Sequence, residues 1–178
     1  LSHLTDDVQV GDLVFTRIDV KPFREVAAST GSWTNHVGIV IGRNEQGPVV
    51  AESTFPLSRT TPLADFIRRS QDGRVAIMRM TDALDPQAQS RLNAAAMKRT
   101  GIFYDTGFNL HSRRQFCSRF VHEVIAEATG VQVGEVQTLA QLFGQNPQAS
   151  LEFWRLWYLG SIPWARQTIT PASMLASP

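Results

Sequence analysis

The sequence predicts an α+β chain, and three stretches carry the prediction. Residues 36–42 and 48–53 are β-favouring runs joined by the polar segment 43–47, the pattern of a β-hairpin. Residues 112–130 have helical periodicity instead. Phe116, Phe120 and Val124 fall at i, i+4 and i+8, and Cys117, Val121, Ile125 and Ala128 form the adjoining row of one apolar stripe. Asp85 followed by Pro86 opens another helix that runs to about Lys98, with Ala88, Leu92 and Ala95 facing inward.

The remaining elements follow in chain order. Gly11 is a turn signal, and 11–17 reads as a first strand. Residues 21–29 suit a short helix, and the small polar residues of 30–35 a loop before the hairpin. Residues 62–69 start on Pro62 and end on Arg68 and Arg69, the order a helix dipole favours, and are expected to form a short surface helix. Residues 74–80 alternate and read as a fourth strand. Residues 101–109 lead into the cysteine helix, for which Ser112 is the expected N-cap and Gly130 the stop. Helical signals recur in 138–143 and 150–158, and 160–164 and 170–173 read as an irregular tail.

The chain has 178 residues, enough for one full hydrophobic core, and is expected to be a single domain over 1–178. A formal net charge of +1 gives no reason to expect nucleic acid as a partner. No apolar run approaches the roughly 20 residues of a membrane-spanning helix. One cysteine makes no intramolecular disulfide, and 1–10 lacks the basic-then-apolar pattern of a signal peptide, so a cytoplasmic setting is expected. The chain begins at leucine, which leaves room for a removed leader.

The single cysteine, Cys117, falls in the first turns of its helix, where free N–H groups and the nearby Arg113, Arg114 and Arg119 favour thiolate. A lone cysteine on an apolar stripe is more often inert core, so the case rests on partners elsewhere. In the hairpin as drawn, the first residue of one strand lies opposite the last of the other. That sets His36 beside Glu52 on the face of Val40 and Val50, with Val37, Ile39 and Ile41 on the reverse. A histidine within reach of a thiol, oriented by a carboxylate, makes an activated nucleophile that attacks a carbonyl to give a thioester. The backbone N–H of Cys117 and the hydroxyl of Tyr104 are the expected oxyanion donors. His111, near the helix start, is the fallback base, and Asp105 the next carboxylate. His122, five positions after Cys117, turns to a different face. No cofactor is expected, nor a metal, for want of paired short-spacing ligands. The arginines at 68, 69, 113 and 114 suit an anionic substrate but are expected to be solvated surface.

Taken together, Asn35-His36-Val37-Gly38-Ile39, Val50-Ala51-Glu52-Ser53, Tyr104-Asp105-Thr106-Gly107-Phe108 and Phe116-Cys117-Ser118-Arg119-Phe120-Val121 resemble the permuted papain-like cysteine hydrolases. The branch is the YiiX/YebB-like one of the NlpC-type superfamily, and the tail at 159–164 and 170–173 adds a likeness to the bacterial YebB group. The histidine strand precedes the cysteine helix, as the permuted branch requires. The resemblance implies a papain-like α+β fold with an antiparallel sheet packed against the cysteine helix. It also implies Cys117 as nucleophile, His36 as base and Glu52 as third member. The expected function is a cysteine hydrolase of the amidase or peptidase type, acting on a peptide or other amide. A lipid acyltransferase or thioesterase on an acyl-lipid substrate, and a catalytically idle ligand-binding module, are the alternatives. Phe153, Trp154, Trp157 and Trp164 suit either a substrate groove or core.

Overall fold

The computed structural model describes residues 2–178. In chain order its elements are α1 (Ser2–Asp7), β1 (Leu13–Ile18), α2 (Lys21–Thr30), β2 (His36–Asn44), β3 (Gly47–Glu52), β4 (Arg59–Pro62), α3 (Leu63–Arg68), β5 (Ser70–Met78), α4 (Pro86–Lys98), α5 (Cys117–Thr129), β6 (Gln137–Thr138), α6 (Leu139–Gln145), α7 (Leu151–Trp157), β7 (Gln167–Thr168) and α8 (Pro171–Leu175).

Five strands form one antiparallel sheet in the order β4-β3-β2-β1-β5. Strand alternation divides its side chains between two cores. Leu13, Phe15, Val37, Ile39, Ile41 and Ala51 point to the face covered by α4 and α5. Val14, Val40 and Val50 point to the other, where Leu63, Phe66 and Ile67 of α3 pack. Both faces are covered, which is why 37–41 is nearly all apolar instead of alternating with polar residues. The whole stripe of α5 is buried: Phe116, Cys117, Phe120, Val121, Val124, Ile125 and Ala128. Each large apolar side chain so removed from water contributes about 1.5–3 kcal/mol. A third cluster, Leu139, Leu142, Phe143, Trp154 and Ile162, comes from α6, α7 and the segment after them. It is tied to α2 by the indole N–H of Trp154, which donates to Ser29 Oγ at 2.7 Å. Trp154 is therefore core, whereas Trp164 stays nearly half exposed.

Several expectations need correction. Ser112 does not cap α5: the helix begins at Cys117 with Phe116 in the N-cap position, and the Ser112 hydroxyl donates to Asp105 Oδ2 at 2.6 Å. The chain has to turn around Asp105 before it becomes helical, so the polar residues before Phe116 belong to that turn. The helix at 63–68 is not a surface helix, since Leu63, Phe66 and Ile67 are buried against the sheet. Strand β5 starts at Ser70, four residues earlier than the alternation suggested, because Asp72 and Gly73 take left-handed backbone within it. Strand β4, Arg59-Thr60-Thr61-Pro62, carries no apolar pattern; it is an edge strand, where polar residues and proline are tolerated. Helix α1 and strand β7 had no sequence signal, and the tail segment 170–173, expected to be irregular, leads into and lies in α8. Gly130 does end α5, at φ 76°, and Asp85 does cap α4, accepting from Ala88 N–H at 2.7 Å.

Candidate active site

The hairpin brings His36 and Glu52 together, with a register two residues from the one expected. Ile39 pairs with Ala51 and Val40 with Val50, so continuing the ladder sets Gly38 across from Glu52 and His36 on the diagonal. The shared face is preserved because the offset is even. A Cβ on Gly38 would lie 2.5 Å from Val50 Cγ1 and 2.9 Å from Phe66 Cε2. Glycine there lets the Phe66 ring stack on the His36 imidazole, with centroids 5.4 Å apart. The Nε2–H of His36 donates to Glu52 Oε1 at 2.8 Å, and both side chains are almost wholly buried.

Cys117 is the first residue of α5, on the sheet face opposite to that of Val40. It nevertheless reaches His36, because the strand begins at His36 and the helix begins at Cys117, and the two ends meet beyond the edge of the ladder. The Cys117 thiol donates to the carbonyl oxygen of Asn35 at 4.0 Å, the residue just before His36, and lies close enough to His36 to help raise its pKa. With Nε2 committed to Glu52, Nδ1 is the ring nitrogen left for a further partner. No side chain caps α5, so the N–H groups of its first turn are left without a side-chain acceptor.

Electrostatics follow from these contacts. Burial alone would lower the His36 pKa, but hydrogen bonds and charge from Cys117 and Glu52 outweigh it and raise it to about 9. Burial would likewise raise that of Glu52, yet His36 and Arg69 bring it down to about 2. Glu52 Oε2 also accepts from Thr61 Oγ1 at 2.6 Å and from Arg69 Nη2, whose guanidinium lies over the Phe66 ring. Arg69 is therefore not the solvated surface residue that its charge pattern suggests. Its position just after α3 was legible as a helix-end charge, but its partner is 17 residues away in sequence and was not.

These shifts set a pH window for stability. A His36 pKa raised from 6.5 to about 9 gives stabilisation that is complete below about 6.5 and lost as pH rises through 9. A Glu52 pKa lowered from 4.5 to about 2 gives stabilisation that is complete above about 4.5 and lost as pH falls through 2. The melting temperature should therefore be highest between about pH 4.5 and 6.5 as far as this pair is concerned, and decline toward 9. His36→Ala, followed by calorimetry across the same range, should flatten the alkaline decline. An unchanged decline would assign it to other groups.

Tyr104 is held by its N–H to Pro56 O at 3.0 Å and by a bridge to Gln115. Its hydroxyl is buried with no partner, and burial together with the charges of Cys117 and Asp105 pushes its pKa well above the ordinary value. It stays protonated and is a free donor beside Cys117, both lining one cavity. Asp105 is occupied elsewhere, accepting from Gly107 N–H at 2.8 Å, Asn109 N–H at 3.0 Å and Ser112. It shapes the loop that carries Tyr104. His111 is exposed and bonded to Gln167 Oε1 at 2.7 Å, and His122 to the carbonyl of Val133 at 2.8 Å. Arg119 pairs with Glu123 and donates to the carbonyls of Ser112 and Arg114, bracing the segment that precedes the helix.

An antiparallel sheet with a helix-initial cysteine against one covered face, and a histidine strand that precedes that cysteine in the chain, define a permuted papain-like protein. The chain belongs to the permuted papain-like amidase family, YaeF/YiiX, C92, which residues 7–178 match. Among its relatives is the uncharacterized protein YiiX of Escherichia coli (strain K12), 28% identical over 170 residues that cover 96% of this chain and 83% of YiiX. The crystal structure of yiiX from Escherichia coli O157:H7, described as a metalloprotein, superposes with a TM-score of 0.87 at 28% identity. That likeness covers 96% of this chain and 93% of the other. The residues present here do not fit a metal. Cys117 and His36 offer one sulfur and one nitrogen, and among the described residues no group of three or more His, Cys, Asp or Glu is placed to hold an ion. Nor, among the described residues, is any helix long and apolar enough to cross a membrane.

Proposed function

We propose that this chain is a thiol hydrolase that cleaves an amide through a Cys117 thioester. The observation that carries the reading is the buried Glu52–His36 pair with the Cys117 thiol, at the start of α5, bonded to the carbonyl of the residue just before His36. His36, an imidazolium at neutral pH with its pKa raised to about 9, already carries the thiol proton when substrate arrives, and sulfur attacks the substrate carbonyl. The oxyanion so formed is met by the backbone N–H of Cys117 and by the Tyr104 hydroxyl, a buried donor otherwise without a partner. As the C–N bond breaks, the imidazolium passes its proton to the departing amine. Water then loses a proton to His36, attacks the thioester, and releases the acid and the free thiol. Glu52 keeps the ring oriented and stabilises its cationic form. A cytoplasmic setting would keep the thiol reduced.

A second reading, acyl transfer or thioester cleavage on the same three residues, draws on the apolar cavity beside Cys117. Intact-mass analysis after incubation with activated amides, esters and thioesters tests both. A covalent acyl adduct is expected, absent in Cys117→Ala, and its decay by water or only with an added acceptor separates hydrolase from transferase. No adduct with any probe would overturn the enzyme reading in favour of an idle ligand-binding module.

A further inference from the structure

We infer that the group held beside Cys117, and retained as its thioester, is a short, uncharged aliphatic acyl group. The inference rests on the proposed thiol chemistry and adds a substrate class to it.

The cavity runs from Cys117 and Tyr104 between α2 and the third apolar cluster, with Val26, Phe108, Leu142, Phe143 and Trp154 among its walls. None of its lining residues is Asp, Glu, Lys, Arg or His. A carboxylate or ammonium placed there would be desolvated without a counter-charge, a penalty that an apolar group does not meet. Its one orphaned polar group is the Tyr104 hydroxyl, next to the sulfur, where a carbonyl oxygen would lie.

Size narrows the class further. The cavity volume is about 40 Å³, far below the roughly 300–1,000 Å³ of a site that buries a drug-sized ligand, so it admits only a short chain. That suits a chain near butyryl length. The acyl side is the one assigned because the acyl group stays on sulfur after the leaving group departs. It must therefore fit the space continuous with Sγ, while amine and water come and go on the open side.

The test is acylation of the wild-type chain by p-nitrophenyl acetate, butyrate, octanoate and hemisuccinate, followed by p-nitrophenolate release and intact mass. Each rate is normalised to the reaction of the same ester with free cysteine. In each case the Sγ–acyl bond forms, the ester C–O bond breaks and His36 already carries the thiol proton. Butyrate should lead octanoate and hemisuccinate by tenfold or more. Val26→Phe, which narrows the cavity, should move the preference to acetate; if it lowers the melting temperature below the assay temperature, Leu142→Phe serves instead. A hemisuccinate or octanoate rate within tenfold of butyrate, with Cys117 acylated in each case, would overturn the acyl assignment and leave the thiol reading intact. Absence of any adduct would overturn the thiol reading itself.

Discussion

Cys117→Ala and His36→Ala should each abolish turnover and probe labelling at neutral pH, by about 10⁴-fold or more. The two losses should be equal, because removing either member of a nucleophile and base that act as a unit removes the whole effect. The alanine at 117 replaces a small buried group at the first position of α5, so the fold should persist. His36→Ala removes a ring stacked on Phe66 and bonded to Glu52, and its melting temperature should fall. Labelling must therefore be measured on the folded fraction, with circular dichroism in parallel. His36→Ala labelling at the wild-type rate would remove His36 from the mechanism. The structure offers His111 no substitute role, since it is exposed and held by Gln167.

Glu52→Gln should reduce turnover by about 10- to 10⁴-fold while leaving a measurable remainder, because the side chain orients the imidazole and does not exchange the proton. At an exposed strand end an amide replaces a carboxylate at little cost to stability. The structure changes that expectation. Glu52 is fully buried and accepts from three donors: His36, Thr61 and Arg69. Glutamine keeps one acceptor oxygen and brings an amide N–H₂ into a site built of donors. Melting should therefore show a loss of about 1–3 kcal/mol, the range for weakening a buried charge-assisted bond. Arg69→Met supplies the comparison: it leaves the carboxylate but removes a positive neighbour, so the acid limb of the pH–rate profile should move upward while activity at neutral pH persists. If Glu52→Gln turned over at the wild-type rate, the carboxylate would have no part in orienting His36.

Local pattern was sufficient for most of the elements. Periodicity in 116–128 identified the helix, its buried stripe and the place of the thiol at its start, because a helix reports its buried face every three to four residues. The apolar runs on either side of 43–47 identified the hairpin, and with it a shared face for His36 and Glu52. That conclusion survived a register two residues off, since face depends only on whether the offset is even. Where local sequence has no period it was silent. Strand β4, three polar residues and a proline, has no apolar pattern and pairs as an edge along β3. The Ser112 and Asp105 turn looked like a helix cap because serine serves both purposes.

By itself, the sequence determined the antiparallel hairpin, the cysteine helix and the order of histidine before cysteine that marks the permuted family. Only the tertiary structure decided that Arg69 and Thr61 hold Glu52, that Asp105 shapes a loop, that the Tyr104 hydroxyl is left without a partner, and that an uncharged cavity lies beside Cys117. The reason is physical. Periodicity records which face of an element is buried, whereas these contacts join side chains from elements far apart in the chain, whose meeting depends on how the packed layers lie.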